Sequence, residues 1–292
     1  MRIFLLGADG QLGHELTGAL GCFAEVVPAT ELDFDMTDPQ ALRTAVRAAA
    51  PDAIVNAAAF TDVDGAERNP RQAMLVNAEA VATLGELARD ERLALVHYST
   101  DFVFDGHKGA PYTEEDAPCP LNEYGRSKLA GEAALLQQDA PAVVIRTAWL
   151  YSLRKRSFVS SIRALCRERA QVRVVADQIG SPTFCRDLAQ ATAMLLYGVR
   201  DAPHEAIAAA RGVYHLAGAG SCSRYELACA VAELDPRREE HAVRSIVPVP
   251  STEYPSPARR PAHAPLDCGK IRARFGIALP PWRESLARAL AG

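Results

Sequence analysis

Tyr124 and Lys128 are the residues of this chain whose types and spacing most directly suggest chemistry. They stand four positions apart, and the run from Lys128 to Leu136 has the composition of a helix. Helical positions four apart lie one turn apart on the same face. An ammonium beside a phenol favours the phenolate, so Lys128 is predicted to lower the pKa of Tyr124 from about 10 and make it a proton donor near neutral pH. Alone, the same spacing would describe an ordinary surface helix.

A cofactor site is predicted at the N-terminus. The apolar run Ile3–Leu6 ends at a glycine turn, GADGQLG at 7–13, and a helical pattern follows over His14–Leu20. Strand, glycine turn and helix are the context of a dinucleotide fingerprint, although the spacing here is G-x-x-G-x-x-G. The turn allows close approach to a pyrophosphate, which the free N–H groups at the helix start attract. A purely structural turn is the alternative.

The choice of nicotinamide cofactor stays open. An acid at the end of the second strand, predicted at Glu25–Pro28, normally binds the adenosine ribose and favours NAD. Three acids, Glu31, Asp33 and Asp35, stand near that place, and no arginine is there to hold a 2′-phosphate. These acids could equally belong to turns and helix caps. The pattern leans slightly towards acceptance of NADH.

The elements that must position these residues alternate between strand and helix. Strands are predicted at Ala53–Asn56, Leu93–Tyr98 and Ala142–Arg146, with helices at Pro39–Ala50 and Arg71–Arg89. This alternation predicts an α/β fold: a Rossmann-type, doubly wound parallel sheet.

In such a sheet, ligands lie beyond the carboxyl ends of the strands, where Gly7, Ala59 and Thr100 stand. Thr100 and Tyr124 could therefore donate hydrogen bonds to a carbonyl while hydride adds to its carbon.

Composition narrows the functional classes. The 292 residues are 49% hydrophobic and 23% charged, with net charge −4 and dispersed basic residues, which does not suggest a nucleic-acid or membrane surface. The seven cysteines form no C-x-x-C motif and the seven histidines no H-x-x-x-H motif, so no catalytic metal cluster is predicted. The apolar run at the N-terminus is too short for a signal peptide. Reduced thiols in a cytoplasm fit best.

Several longer segments carry a family resemblance. They are GADGQLG at 7–13, NAAAFTDVDGAE at 56–67, HYSTDFVFDG at 97–106, YGRSKLAGE at 124–132, RTAWLY at 146–151, DQIGSPT at 177–183, YPSPARRP at 254–261 and LPPW at 279–282. On these segments the chain resembles the extended short-chain dehydrogenases/reductases, and more closely the dTDP-4-dehydrorhamnose reductase family.

The resemblance implies reduction of the C4 ketone of dTDP-4-dehydro-L-rhamnose by NADPH or NADH, the last step of dTDP-rhamnose biosynthesis. It implies Tyr124 as proton donor, Lys128 as ligand of the nicotinamide ribose that also tunes Tyr124, and Thr100 as the group that polarises the carbonyl. The cofactor-binding set it implies is Gly7, Gly10, Gln11, Leu12, Gly13, Asp35, Met36, Ala59, Phe60, Thr61, Tyr98, Tyr124 and Lys128. The substrate-binding residues it implies are Thr100, Asp101 and Trp149.

Two departures from the family pattern concern the cofactor: Phe60 stands where relatives often have histidine, and the ribose-binding acid is displaced. A related nucleotide-sugar epimerase or ketoreductase, or a non-catalytic NAD(P)-binding regulatory subunit, are the alternatives. The intact Thr100, Tyr124 and Lys128 argue against the regulatory subunit.

The second half is predicted to build a smaller C-terminal α/β substrate domain. We expect the dinucleotide-binding domain to comprise residues 1–149 plus roughly 187–217, and the substrate domain roughly 150–186 and 218–292. Gly212–Ala217 is predicted to return as a strand to the main sheet, whereas His204–Ala210 reads as a variable loop.

Arg259 and Arg260 lie on a proline-rich stretch and could clamp the substrate diphosphate. A solvated basic turn or a contact with a dimer partner are the alternatives. A homodimer, and Mg²⁺ between subunits, also stay open. Glu15 is a candidate ligand, but a single carboxylate does not make a metal site.

Overall fold

A computed structural model describes residues 1–292. Its strands are β1 (Arg2–Leu6), β2 (Glu25–Ala29), β3 (Ala53–Asn56), β4 (Ala94–Thr100), β5 (Ala142–Thr147), β6 (Leu150–Tyr151), β7 (Gln171–Val175), β8 (Ile179–Gly180), β9 (Thr183–Phe184), β10 (Gly212–His215), β11 (Cys222–Ser223) and β12 (Ser245–Val249). The main sheet has six parallel strands in the order β2-β1-β3-β4-β5-β10. The predicted Rossmann-type parallel sheet is confirmed, and so is the late strand that returns to it.

Helices cover both faces of this sheet. They are α1 (Gln11–Gly21), α2 (Pro39–Ala49), α3 (Val63–Arg68), α4 (Pro70–Met74), α5 (Ala80–Asp90), α6 (Glu123–Gln137), α7 (Phe158–Glu168), α8 (Cys185–Gly198), α9 (Pro203–Ala209), α10 (Arg224–Leu234), α11 (Gly269–Phe275) and α12 (Trp282–Ala291). One apolar core joins the sheet to α1 and α8, and a second joins it to α2, α5 and α6. None of the helices combines the length and apolar character that crossing a membrane requires.

A third core lies in the second half of the chain. It packs α7, α10 and α12 against short two-stranded pairings, β6 with β9 and β7 with β12. The pair β8 and β11 adds a further small sheet. The buried side chains of these elements form a core separate from the two that flank the main sheet.

The prediction of a loop at His204–Ala210 is wrong, because α9 spans Pro203–Ala209. Proline at the first helical position needs no hydrogen-bond partner for its nitrogen, and its fixed φ suits a helix start. The alanines that follow are strong helix formers, and Ile207 is fully buried in the core beside the sheet.

The helix predicted at Arg71–Arg89 is interrupted. Between α4 and α5, Leu75–Glu79 forms a π-helical turn, and its Asn77 side chain is buried. A Cβ on Gly131 of α6 would overlap the Asn77 carbonyl oxygen, so the absence of a side chain at Gly131 lets α6 pack directly on this widened turn. Inserted turns of this kind displace a carbonyl outward and are often found at functional sites.

The glycine turn after β1 depends on two of its glycines. Gly7 has φ +74°, which favours glycine, and its N–H donates to the Ala29 carbonyl across the sheet at 2.9 Å. A Cβ on Gly13 would overlap the Gly7 carbonyl oxygen and stand 2.8 Å from Ala8 Cα. Helix α1 can therefore approach the turn only if residue 13 has no side chain.

We expect Gly13→Ala to lower the free energy of unfolding by about 1–3 kcal/mol, because the new methyl group must displace backbone. Gly18→Ala on the same helix is the matched control. Nothing lies within 4 Å of a Cβ at Gly18, so alanine should raise stability by about 0.4–1 kcal/mol. Urea unfolding of both variants measures these changes, and equal effects at the two positions would contradict the close packing at Gly13.

Candidate functional site

The glycine turn presents backbone to the space beyond β1. Gly10 is the N-cap of α1 and no side chain caps the helix, so the first N–H groups of α1 are available to an anion. The Leu12 side chain is buried in the core, so only its backbone can face a ligand. Gln11 behaves differently: its Oε1 accepts from the Ser152 backbone N–H at 3.0 Å and from the Ser152 hydroxyl at 3.1 Å.

The acids after β2 are engaged within their own turns. Asp33 Oδ2 accepts from the Thr30 N–H at 2.7 Å, and Asp35 Oδ1 accepts from the Thr37 N–H at 2.8 Å. These threonines hold the pKa of both carboxyls below their usual range. Both carboxylates are exposed, whereas Met36 packs against the core. Neither acid is held in place by the rest of the fold.

Asn77 links the loop after β3 to helix α6, and sequence reasoning missed it. Its Oδ1 accepts from the Phe60 N–H at 2.9 Å, and its Nδ2 donates to the Phe60 carbonyl at 3.1 Å and to Ser127 Oγ at 2.9 Å. Ser127 in turn donates to the Tyr124 carbonyl at 2.8 Å. The segment Ala59–Thr61 is thereby fixed relative to Tyr124. A polar residue inside an apolar helical pattern was the only sequence signal.

Lys128 is buried beneath α6, and its Nζ donates to the Tyr98 carbonyl at 2.7 Å. Burial lowers the pKa of Lys128 to about 8, against the opposing attraction of Glu132. Glu132 accepts from Arg146 in a buried ion pair with N···O distances of 2.6–3.2 Å and also accepts from Ser99. The Tyr98 ring faces the other side of the sheet, where its hydroxyl is 2.6 Å from Thr192 Oγ1. Tyr98 therefore contributes its carbonyl to this site.

His97 accepts no hydrogen bond from Lys128, so the other hydrogens of the ammonium stay free. Asn56 Oδ1 accepts from the Ala58 N–H at 3.1 Å, so its Nδ2 is the donor to His97 Nδ1, also at 3.1 Å. Burial and Lys128 hold the pKa of His97 well below its usual range, so the ring is neutral and Nε2 carries its proton. Although Nε2 lies 3.4 Å from Lys128 Nζ, it cannot accept from it. Tyr98 provides the one acceptor.

Tyr124 lies on the first turn of α6, which the Asn122 side chain caps by accepting from the Gly125 N–H at 2.8 Å. Burial raises the pKa of Tyr124 to about 12, although the Thr100 hydroxyl acts to lower it. The prediction that Lys128 lowers this pKa is wrong for this structure. The spacing does place both residues on α6, but the ammonium bonds to the Tyr98 carbonyl, and the phenol packs edge-on against Phe102 with ring centroids 5.6 Å apart.

Thr100 and Asp101 follow one another at the end of β4. Thr100 Oγ1 accepts from the Phe102 N–H and donates to Asp101 Oδ1, both at 3.1 Å. The second carboxylate oxygen of Asp101, Oδ2, is buried and has no hydrogen-bond partner. Burial raises the pKa of Asp101 to about 7, against the opposing effects of Thr100 and Arg224.

Trp149 is held at the same edge of the sheet by an uncommon backbone conformation. Its φ is +44°, and a Cβ on Gly180 would stand 2.6 Å from the Trp149 indole nitrogen. The ring also covers Arg224, whose guanidinium carbon is 3.6 Å from the ring centroid. Arg224 was missed because it stands at the start of α10, in the second half of the chain, with no motif around it.

The two adjacent arginines of the proline-rich stretch are separated. Arg260 donates to Asp64 Oδ2 at 3.0 Å, and both side chains are 31% exposed. Arg259 is exposed, and its backbone carbonyl accepts from Asn122 Nδ2 at 2.7 Å. Only Arg260 comes within electrostatic reach of Arg224. The stretch is thereby tied to the cap of the helix that carries Tyr124 and Lys128.

Glu15, the candidate metal ligand, is paired with Arg186 at 3.1 Å. No group of three or more histidine, cysteine, aspartate or glutamate side chains that could hold a metal ion was found.

Comparison with known proteins gives matches over the whole chain. The family described as RmlD substrate binding domain matches residues 1–292. The dTDP-4-dehydrorhamnose reductase of Burkholderia thailandensis is 41% identical over 291 residues, which cover 98% of this chain and 97% of that protein.

Two crystal structures of dTDP-4-dehydrorhamnose reductases each superpose on this chain with a TM-score of 0.89. The one from Clostridium acetobutylicum is 32% identical and covers 100% of this chain and 99% of its own. The one from Bacillus anthracis, in complex with NADP, is 30% identical and covers 99% and 98%.

The raised pKa of Asp101 predicts a pH dependence of stability. Between pH about 4 and about 7 the folded carboxyl keeps a proton that the unfolded chain has lost, so this group makes stability fall as pH rises. Asp101→Asn removes that contribution. We therefore expect the stability of the original protein, relative to this variant, to decrease from pH 4 to pH 7 in urea unfolding.

Asp105→Asn is the control of opposite sign. Tyr112 holds the pKa of Asp105 below its usual range, so relative stability should rise with pH below about pH 4 and stay level from pH 4 to pH 7. The stability difference between the original protein and Asp101→Asn could instead stay the same from pH 4 to pH 7. That result would show that Asp101 ionises normally in the folded protein.

Proposed function

Because this chain belongs to the dTDP-4-dehydrorhamnose reductase family, we propose that it reduces the C4 ketone of dTDP-4-dehydro-L-rhamnose to dTDP-L-rhamnose. Bound NAD(P)H supplies the hydride. The observation that carries this proposal is the arrangement at the end of β4. There the Thr100 hydroxyl is close enough to the Tyr124 phenol to lower its pKa, and Lys128 follows Tyr124 one turn later on α6. These three groups stand beside the strand ends that a dinucleotide would cross.

Tyr124 is the proton donor in this proposal. With a pKa of about 12, its phenol is protonated at neutral pH, which is the form a general acid requires. As hydride adds to the ketone carbon, its oxygen becomes an alkoxide. Thr100 turns its one hydroxyl hydrogen from Asp101 Oδ1 to that oxygen, and Tyr124 transfers its proton to it.

Lys128 holds the nicotinamide ribose in this proposal. Its ammonium has three hydrogens and one acceptor in the fold, the Tyr98 carbonyl, so two hydrogens remain for ribose hydroxyls. With a pKa of about 8, Lys128 is mostly protonated at neutral pH. Burial, Thr100 and Asp101 determine the pKa of Tyr124, so the role of Lys128 in this proposal is to bind the cofactor.

The glycine turn and the loop after β3 are proposed to line the cofactor cleft, through Gly7, Gly10, Gln11, Leu12, Gly13, Ala59, Phe60 and Thr61. We propose that NADH and NADPH are both accepted. Asp35 and Met36 would flank the adenine, and the exposed Asp33 and Asp35 can turn away from a 2′-phosphate because they are held only by their own turns.

The substrate domain in this proposal comprises roughly residues 150–186 and 218–292. Its support is the separate apolar core of α7, α10 and α12. Asp101, Trp149, Arg259 and Arg260 would contact the sugar nucleotide, with Arg260 better placed than the exposed Arg259. Every reacting group comes from one chain, and a homodimer or an interface Mg²⁺ is a separate hypothesis. A cytoplasmic location is supported by the seven free cysteines.

The proposal is tested by mixing the purified protein with dTDP-4-dehydro-L-rhamnose and either NADH or NADPH. We expect the absorbance of the reduced nicotinamide to fall and dTDP-L-rhamnose to form with both cofactors. Protein without substrate, and substrate without protein, are the controls. If neither cofactor is consumed, the reductase proposal is wrong.

We expect Tyr124→Phe to lower kcat by about 10²- to 10⁴-fold, the usual contribution of a positioned general acid. The phenyl ring keeps the packing against Phe102, so cofactor affinity should stay within about threefold, measured by nicotinamide fluorescence. Tyr112→Phe is a matched control, since the Tyr112 hydroxyl bonds to Asp105 and lies outside the proposed machinery. Normal turnover by Tyr124→Phe would exclude Tyr124 as the proton donor.

A further inference from the structure

Arg224 is a semi-buried cation whose guanidinium makes no hydrogen bond and no ion pair within the fold. It is the first residue of α10, and its backbone N–H donates to the Gln178 carbonyl at 3.1 Å. The guanidinium carbon is 3.6 Å from the Trp149 ring centroid and 5.0 Å from that of Phe158. Stacking between aromatic rings fixes the plane of the guanidinium but satisfies none of its five N–H donors.

A buried acceptor without a partner lies within electrostatic reach of this guanidinium. The attraction of Asp101 is the strongest charge interaction that Arg224 has, although the two side chains are too far apart to form an ion pair. Asp101 Oδ2 is buried without a partner, whereas Oδ1 is occupied by Thr100. Polar groups left unpaired in a buried place are costly, and their presence at a site indicates what the site is built to bind.

A hydroxyl group is the chemistry that fits between them, because it can donate to a carboxylate and accept from a guanidinium at the same time. Thr100, the neighbour of Asp101 in the chain, faces the reacting ketone in the proposed function. A hydroxyl bound at Asp101 therefore belongs to the sugar carbon next to that ketone. Hydrogen bonds between a sugar hydroxyl and buried charged groups give strong discrimination against analogues that lack the hydroxyl.

We propose that Arg224 is a substrate-positioning residue, which together with Asp101 holds the C3 hydroxyl of the sugar beside the C4 ketone. The inference rests on the proposed reductase function. It assigns Trp149 the task of orienting the guanidinium as well as touching the sugar. Gly180 leaves room for the Trp149 indole, so it supports sugar binding indirectly by allowing this stack to form.

The alternative occupant is the substrate diphosphate, since Arg260 also lies within electrostatic reach of Arg224. The two arginines repel each other, which an intervening diphosphate would relieve. Arg260 however already has a carboxylate partner, Asp64, at 3.0 Å. The unpartnered Asp101 oxygen near the Arg224 guanidinium favours a neutral hydroxyl, because an ionised Asp101 would repel a diphosphate.

The experiment measures Arg224→Gln and Arg224→Lys with the normal substrate and with an analogue that lacks the C3 hydroxyl. With the normal substrate we expect kcat/KM to fall by about 10- to 150-fold in Arg224→Gln, the loss expected for a hydrogen bond to a charged group. Lysine keeps the charge but not the planar stack, so Arg224→Lys should lose less. Exposed Arg244 is the matched control, and Arg244→Gln should change kcat/KM less than twofold.

The analogue distinguishes positioning of the hydroxyl from a structural role. If Arg224 binds this hydroxyl, Arg224→Gln and removal of the hydroxyl cost less together than the product of their separate effects. Independent effects that multiply would overturn the proposal, as would unchanged kinetics. Should Arg224→Gln fail to fold in a thermal unfolding control, Arg224→Lys with the two substrates gives the same test.

Inhibition by dTDP alone identifies the diphosphate alternative. We expect its inhibition constant to be the same in Arg224→Gln and in the original protein. A tenfold weaker inhibition would assign Arg224 to the diphosphate and overturn the proposal. These outcomes are distinct from failure of the proposed function, in which the original protein itself would leave NADH and NADPH unconsumed.

Discussion

The burial of the Lys128 ammonium between α6 and the main sheet is the constraint on which the site depends. A buried charge is costly unless it is hydrogen-bonded, and the Tyr98 carbonyl at 2.7 Å is its one acceptor. The neutral His97, fixed by Asn56, offers it none. Glu132 opposes the loss of charge, but it shares its own charge with Arg146. The ammonium therefore keeps unused hydrogens in the fold, and in the proposed function the ribose hydroxyls accept from them.

Polar links hold α6 in the place that this burial requires. Asn77 joins it to the loop after β3, and the Glu132–Arg146 pair joins it to β5. Replacing a buried ion pair by apolar side chains is often neutral or stabilising, so such a pair is weak evidence for stability. Its value here is that only one register of α6 on the sheet satisfies it. Directional hydrogen bonds thus fix the loop after β3, helix α6 and strand β5 relative to one another.

The sequence predicted the parts of the site that local patterns encode. The glycine turn follows a strand, Thr100 ends another, and the spacing of Tyr124 and Lys128 places both on one helix. Spacing could not give the direction of the ammonium, because the Tyr98 carbonyl that captures it lies on a strand. Asn77 and Arg224 reach the site only through a widened helical turn and through the stack on Trp149. Long-range packing of this kind leaves no motif in a single sequence.

The raised pKa of Tyr124 changes the division of work within the pair. A phenol whose pKa equals or exceeds that of an ordinary tyrosine forms little phenolate at neutral pH. It can still protonate an alkoxide, because an alkoxide is a stronger base than a phenolate. Proton transfer then runs downhill as the alkoxide forms, without prior activation of the donor. Lys128 need not act on the resting phenol. In the proposed function its role is to bind the cofactor ribose through the ammonium hydrogens that the Tyr98 carbonyl leaves free.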